Sequence, residues 1–314
     1  MRVSLIMVSF NTSDLTIEAL RTAQLSWNDL QLLVVDNASH DGSGDRIEAE
    51  FGADSLIRNS ENVGFGRAVN QALPKCDGEL ILLLNPDCQL EPGCMMELVD
   101  YLDEHPDAGV VAPLTAHPDA RLHVLSAGFE PTIAQVINHY TGLSRFRRWL
   151  PSLQGWHILH GVDDASAVDV DWVSGACLLV RRDVLEQVGP LSERWFMYAE
   201  DIEFCHRVRA AGWRVVHVPE ARVLHLVGAA TRQAGEEIRT MWIDSLADYF
   251  DLELSSGRVS SRTWRVVLAA GLASRALLYG LRSLSSPSEG ATWREESRRF
   301  RSFAAAALTA RSGA

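Results

Sequence analysis

The sequence predicts an α/β protein in which a mainly parallel sheet is sandwiched by helices and followed by a helical C-terminal extension. Three observations predict it. Apolar runs of strand length recur at Val3 to Val8, Leu32 to Val35 and Leu80 to Leu84. Each run is followed by a polar turn and then by a segment of helical period, which is the punctuation of βαβ units. Beyond Gly228 the pattern reads as helical to the end of the chain.

The elements follow in order. After the first strand, Thr12 to Ser26 reads as a helix with a capping Thr or Ser, and Gly66 to Leu73 and Pro92 to Leu102 read as the next helices of the units. Proline in the first turn suits the last of these, because a first-turn N–H has no intrahelical partner to lose. Residues 115 to 167 show little periodicity and several Pro and Gly, the mark of a long loop-rich insertion on the acceptor side. Strand signals resume at Val168 to Trp172 and Ala176 to Val180. A helix runs from about Glu200 to Ala211 and stops at Gly212, and short strands near Val215 and Val223 precede His225. The domains expected are 1–228, catalytic, and 229–314, helical. In such sheets ligands bind outside the carboxyl ends of the strands, so the turns at Ser9, Asp36 and Asn85 are expected to share one crevice.

Composition narrows the class. A chain of 314 residues that is 47% hydrophobic and 22% charged has a sizeable core and is neither disordered nor a membrane bundle. Its net charge of −12 is unevenly placed: residues 258–314 hold ten Arg against three Glu, a net +7, which leaves −19 on the first 257 residues. An acidic body argues against nucleic-acid binding. A basic helical tail suits an anionic membrane surface, an acidic partner or simply a solvated face. On a helical wheel Arg262, Arg265, Arg275 and Arg282 oppose Val266, Val267, Leu277 and Leu281, but Leu268 and Leu272 intrude, so packing on the body stays open beside peripheral membrane contact. Val266 to Ser274, uncharged up to Arg275, is far short of the roughly 18 apolar residues of a spanning helix. Five cysteines (76, 88, 94, 177 and 205) without a CxxC pair indicate neither a disulfide framework nor a thiolate zinc site. With a strand starting at Val3 and no signal-peptide pattern, a cytoplasmic location is expected, at the inner face of the membrane if the tail meets lipid.

Several residues carry chemistry. Asp36 ends an apolar strand and either accepts a hydrogen bond from a nucleobase or ribose, or forms an Asx turn or cap for the helix after Gly44. Asn62-Val63-Gly64-Phe65-Gly66 through Asn70 resembles a dinucleotide fingerprint only in part, since Val69 occupies the third glycine position. It reads as a phosphate-facing turn or as a tight helix entry. Asn85-Pro86-Asp87 follows a buried strand, where the Asp87 carboxylate can hold Mg²⁺ or Mn²⁺ against a diphosphate, unless the tripeptide is only a turn. Glu200-Asp201 opens a helix, either complementing its dipole or supplying a base for an acceptor hydroxyl. His225 is a further metal ligand or a structural histidine.

The order and spacing of these pieces over about 225 residues closely resemble the family 2 glycosyltransferases, particularly the rhamnosyltransferase-like members. The matching segments are Val8-Ser9-Phe10-Asn11, Val35-Asp36-Asn37-Ala38-Ser39-His40-Asp41-Gly42, Asn62-x-Gly64-x-Gly66 with Asn70, Asn85-Pro86-Asp87, Trp172-x-x-Gly175-Ala176, and Tyr198-x-Glu200-Asp201 leading to Arg207 and Gly212. The resemblance implies a GT-A, Rossmann-like fold. It assigns Ser9, Asn11, Asp36, Asn62, Gly64, Asn70, Asn85 and Asp87 to the nucleotide sugar, and Asp87 with His225 to a divalent cation, Mg²⁺ or Mn²⁺. Asp201 becomes the general base with Glu200 in support, and Trp172, Gly175 and Ala176 line the sugar or acceptor pocket. The family often has Asp-x-Asp where this chain has Asn85-Pro86-Asp87, so one carboxylate is absent from the expected cation site.

The resemblance therefore implies an inverting transfer from a nucleotide diphosphate sugar, dTDP-rhamnose favoured over a UDP-linked sugar, to a glycan or lipid-linked acceptor. A nucleotidyltransferase would carry a Gly-rich segment with Arg or Lys after the first strand, which Val8-Ser9-Phe10-Asn11-Thr12 lacks. A non-catalytic nucleotide-sugar or glycan-binding module has no use for Asp87, Glu200, Asp201 and His225 together.

Overall fold

The computed structural model describes residues 2–117, 126–147, 149–158, 166–226, 236–285 and 290–310. The expected domain boundary at 228/229 falls outside them. The strands are β1 (Val3–Ser9), β2 (Leu30–Asp36), β3 (Leu56–Arg58), β4 (Leu80–Leu84), β5 (Cys88–Leu90), β6 (Ala108–Ala116), β7 (Ala127–Gly128), β8 (Val168–Val170), β9 (Trp172–Val173), β10 (Cys177–Arg181) and β11 (Arg214–His225). The helices are α1 (Ser13–Ser26), α2 (Ser43–Phe51), α3 (Phe65–Ala72), α4 (Cys94–Glu104), α5 (Ile133–Thr141), α6 (Arg182–Val188), α7 (Glu200–Ala210), α8 (Glu236–Tyr249), α9 (Arg258–Ser285) and α10 (Gly290–Thr309).

The chain forms two compact units. One comprises Met1–Gly128 and Ile158–Gly235, and the other Phe129–His157 and Glu236–Ala314. The first unit is built on a nine-stranded sheet in the order β3-β2-β1-β4-β10-β6-β11-β5, with β8 pairing β11. Strands β1, β2, β3, β4, β6 and β11 run one way, and β5, β8 and β10 run against them. The sheet is thus mixed and mostly parallel. Every residue of β4, Leu80 to Leu84, is buried, as a central strand covered on both faces requires. Side chains from α1 and α4, among them Leu20, Met95 and Leu98, close one face over Leu5, Met7, Leu82 and Leu84.

Four local expectations change. Thr12 stands before α1 but does not cap it; its hydroxyl meets Ser9 and Thr16 instead. Pro92 precedes α4, which starts at Cys94 behind Gly93 at φ 87°. The two short strands expected near Val215 and Val223 are one strand, β11, whose register slips between Val218 and Arg222. Such a bulge re-aims a strand, and here β11 pairs with β6 along its length and with β5 at its end. The insertion is also not wholly loop. Within it α5 has Thr132 as its N-cap, accepting the Gln135 N–H, and Gly142 in the left-handed region at its end.

Candidate active site at the carboxyl edge of the sheet

Strand direction alone brings the predicted residues to one edge of the first unit. Ser9 and Asp36 are the paired last residues of β1 and β2, Asn85 follows β4, and His225 ends β11. Strand β10 runs the other way, so its start, Gly175-Ala176-Cys177, meets the end of β4, with Cys177 opposite Leu84.

Two backbone hydrogen bonds stitch the edge together. The Asn85 N–H donates to the Ala176 carbonyl at 2.8 Å, and the Gly175 N–H donates to Asp201 Oδ2 at 2.9 Å. Helix α7, which carries Glu200 and Asp201, is thereby moored to the turn that carries Asp87. That turn is tight, closed by the Cys88 N–H on the Asn85 carbonyl at 3.1 Å. The β5–β11 ladder sets Cys88 opposite His225, and the Leu226 N–H donates to the Asp87 carbonyl.

Asp87 Oδ1 and His225 Nε2 are 3.1 Å apart in a nearly closed environment. Adjacent donors in an octahedral shell of radius about 2.1 Å lie about 3.0 Å apart, so this spacing fits a shared cation. Cys88 offers its sulfur within 4.8 Å of both. Burial holds that thiol well above its ordinary range, with the Asp87 charge adding, and a neutral thiol is a poor ligand for a hard cation.

Beside this pair, Glu200 is buried and its Oε2 has no hydrogen-bond partner. Burial, reinforced by the charge of Asp201, pushes its carboxyl up to about 8, so it holds its proton to higher pH than an ordinary carboxyl. Burial raises Asp201 as well, opposed by the Gly175 and Ile202 N–H donors. The Tyr198 phenol is raised by burial and then by Glu200 and Asp87, which places it near both carboxyls. Tyr198 and Ala199 hold φ of 72° and 69° immediately before α7. Two consecutive non-glycine residues in the left-handed region are costly, and such strain collects at functional sites.

The nucleotide side is built differently. Asp36 is buried, takes the Ser39 N–H on Oδ1 and lies over Gly44, where a Cβ would sit 2.7 Å from its Oδ2. Its loop is an Asx-type turn, but Asp41 rather than Asp36 serves α2, accepting the Ser43 N–H at 3.0 Å. Asn11 accepts the His40 N–H and donates its own N–H to Ser39. Ser9 is fully buried, its hydroxyl shared with Thr12 and Thr16.

The glycine-rich segment resolves as a tight helix entry. The Phe65 N–H at the start of α3 donates to the Phe196 carbonyl, and Cβ atoms at Gly64 and Gly66 would fall 2.4 Å and 2.6 Å from the carbonyls of Phe196 and Ser192. Asn70 brackets the same chain by binding the Leu191 N–H and carbonyl. These residues seat the segment that leads into Glu200, and the Phe196 carbonyl takes the Phe65 N–H at the helix entry. Trp172 is buried core, in register with Gly128, whereas Gly175 faces Asp201 and Phe65.

Asn37 was not singled out by its sequence context. It is 2% exposed and holds Asn62 and Gly64 through Nδ2 and Asn59 and Val63 through Oδ1. A polar residue directly after a buried strand was the available signal, though its partners lie more than twenty residues away.

The mostly parallel sheet flanked by helices is that of the GT-A glycosyltransferase fold, as its likeness to solved glycosyltransferase structures shows. Residues 4–189 match the model of glycosyl transferase family 2, and the chain belongs to that family of enzymes. Over 209 residues it is 32% identical to an N-acetylglucosaminyl-diphospho-decaprenol L-rhamnosyltransferase of Mycobacterium tuberculosis, a match covering 62% of this chain and 66% of that relative. It is 26% identical over 170 residues to the rhamnosyltransferase WbbL of Escherichia coli, covering 52% and 60%. Among solved structures, the mannosyltransferase PcManGT of Pyrobaculum calidifontis, in complex with GDP-Man and Mn²⁺, superposes with a TM-score of 0.60 at 18% identity, covering 98% of this chain and 85% of that one. S. aureus TarS 1–349 with UDP-GlcNAc superposes at 0.51 and 16%, covering 98% and 91%.

Proposed function

We propose that this chain moves a sugar from a nucleotide diphosphate donor to a hydroxyl of a lipid-linked glycan, with inversion at the anomeric carbon, in cell-wall or surface-polysaccharide synthesis. The favoured donor is dTDP-rhamnose, in keeping with the rhamnosyltransferase names of the relatives; a UDP-linked sugar is the alternative. The observation that carries the reading is the mooring of Asp201 to the Asp87 turn through Gly175 and Ala176.

Asp201 takes the acceptor proton as the acceptor oxygen bonds to the anomeric carbon, and the bond to the diphosphate oxygen breaks with its electron pair leaving on the diphosphate. Burial favours the neutral form of Glu200, which keeps a further negative charge out of the pocket where that diphosphate departs. Asp87 and His225 would hold the divalent cation, Mg²⁺ or Mn²⁺, which would neutralise the charge developing on the leaving diphosphate. Asp36, Asn11 and Asn85 face the donor, while Ser9, Asn62, Gly64 and Asn70 support the walls that those residues stand on. Gly175 and Ala176 border the sugar, and Trp172 backs them from the core. Five free, buried thiols accord with a reducing, cytoplasmic setting.

The test is product analysis. The chain is incubated with Mn²⁺, a prenyl-diphospho-N-acetylglucosamine acceptor and either dTDP-rhamnose or UDP-sugars. Transfer with an inverted anomeric centre is expected; retention of configuration, or failure with every donor, overturns the reading.

A further inference from the structure

Helix α9 has two faces with opposite fates. One is packed within the helical unit. Trp264 is fully buried, stacks on Phe250 at 4.8 Å between ring centroids and donates its indole N–H to the Pro131 carbonyl. At Gly271 a Cβ would fall 2.3 Å from the Tyr140 ring, so this face is in close contact.

The other face is bare. Val266, Leu277, Leu281 and Leu284 are 57%, 67%, 57% and 80% exposed. At 100° per residue they share, with exposed Ala273, an arc of about 80°. Arg262, exposed at the edge of the same row, and Arg301, on the neighbouring wall of the cleft formed with α10, add charge to it. A row of leucines this long facing water is uncommon without a partner surface.

We propose that this face of α9 lies on an anionic lipid bilayer, with the leucines entering the boundary between headgroups and acyl chains and the arginines meeting lipid phosphates. Charge selects this occupant. The helical unit, residues 129–157 and 236–314, holds fourteen Arg against ten Asp and Glu, a net +4, and Arg262 and Arg301 border the row itself, so a second copy of the same surface is repelled. An acidic protein would satisfy the arginines, but a bilayer accepts the whole apolar row as well. By length and composition α9, 28 residues containing an 18-residue window with a mean hydropathy of 1.2, is long and apolar enough to cross a membrane. Its packed face, committed to Phe250, Pro131 and Tyr140, keeps it lying in the interface instead. The inference goes beyond the transfer reaction and holds whichever sugar is moved.

The experiment is flotation of the full chain with vesicles of equimolar phosphatidylglycerol and phosphatidylcholine, compared with phosphatidylcholine alone, at low salt. Binding to the anionic vesicles alone is expected, with release by alkaline carbonate. The triple change Leu277→Ser, Leu281→Ser, Leu284→Ser is expected to weaken binding about tenfold or more, with an unchanged melting curve and unchanged donor binding. A separate Arg262→Glu, Arg301→Glu chain is expected to lose the preference for phosphatidylglycerol. A wild-type chain that stays unbound overturns the proposal, as does a triple variant that binds normally. Carbonate-resistant insertion, or a dimer in solution that the triple variant breaks, also overturns it by naming a different occupant.

Discussion

The two halves of the carboxyl edge handle polar groups in opposite ways. Around β1 and β2 each predicted side chain takes at least one hydrogen bond within the protein: Ser9 with Thr12 and Thr16, Asn11 from His40, Asn62 from Asn37 and Gly64, Asp36 from Ser39. Around β4, β10 and β11 the fold leaves groups unsatisfied. Glu200 Oε2 and His225 Nδ1 are buried without a hydrogen-bond partner. Strained Tyr198 and Ala199 immediately precede Glu200. The first half is a wall held together by its own hydrogen bonds. The second withholds partners from buried polar atoms, which costs stability and leaves those atoms for ligand or reaction.

This contrast separates loss of activity from loss of stability. The largest effect is expected at Asp201. Asp201→Asn should lower the rate of sugar transfer about 10³-fold while calorimetric donor binding persists, with a small fall in melting temperature because the amide can accept only one of the Gly175 and Ile202 N–H bonds. A variant that turns over normally removes Asp201 from the base role. Next, Asp87→Ala should weaken donor binding about 10²-fold in the presence of Mn²⁺, and much less with the cation chelated. Equal loss in both conditions would detach Asp87 from the cation.

On the wall, the order reverses. Asn37→Ala removes a buried hub, and its orphaned partners should cost about 2–4 kcal/mol in denaturant unfolding, with activity falling only as the folded fraction falls. A stable but inactive Asn37→Ala chain would mean that this half also touches the reacting groups. The smallest effect is a pH dependence. Glu200 titrates at about 8 in the folded chain against an ordinary 4.5. Between these values the unfolded chain has released a proton that the folded chain keeps, so the Glu200 contribution is full below about 4.5 and is lost as pH rises towards 8. Glu200→Gln should flatten that slope and add about 1–3 kcal/mol at pH 8, read as a gap in unfolding free energy that closes towards pH 5.

How much of this was legible depends on range. The strands of the βαβ units, the polar turns after them and the stop of α7 at Gly212 follow from local periodicity and backbone chemistry, which act within a few residues. What joins distant segments was not legible. Asn37 reaches Asn59 to Gly64, β10 enters antiparallel so that Gly175 meets Asp201, and residues 129–157 form a unit with the C-terminal helices rather than lying with residues 1–228 as a loop.

The glycines show the same division. Gly64 and Gly66 were readable as positions that forbid a side chain, but not as positions where the Phe196 and Ser192 carbonyls arrive. On α9 the wheel showed arginines and leucines without saying which leucines are covered; Leu268 and Leu272 proved to be core, and Leu277, Leu281 and Leu284 surface. Sequence by itself determined which residue types stand at each strand end, because pattern and turn chemistry are local. Tertiary structure alone decided which of them meet, because strand order and burial arise from packing between segments far apart in the chain, and a carboxyl such as Glu200 is pushed towards its neutral form only when that packing removes its water.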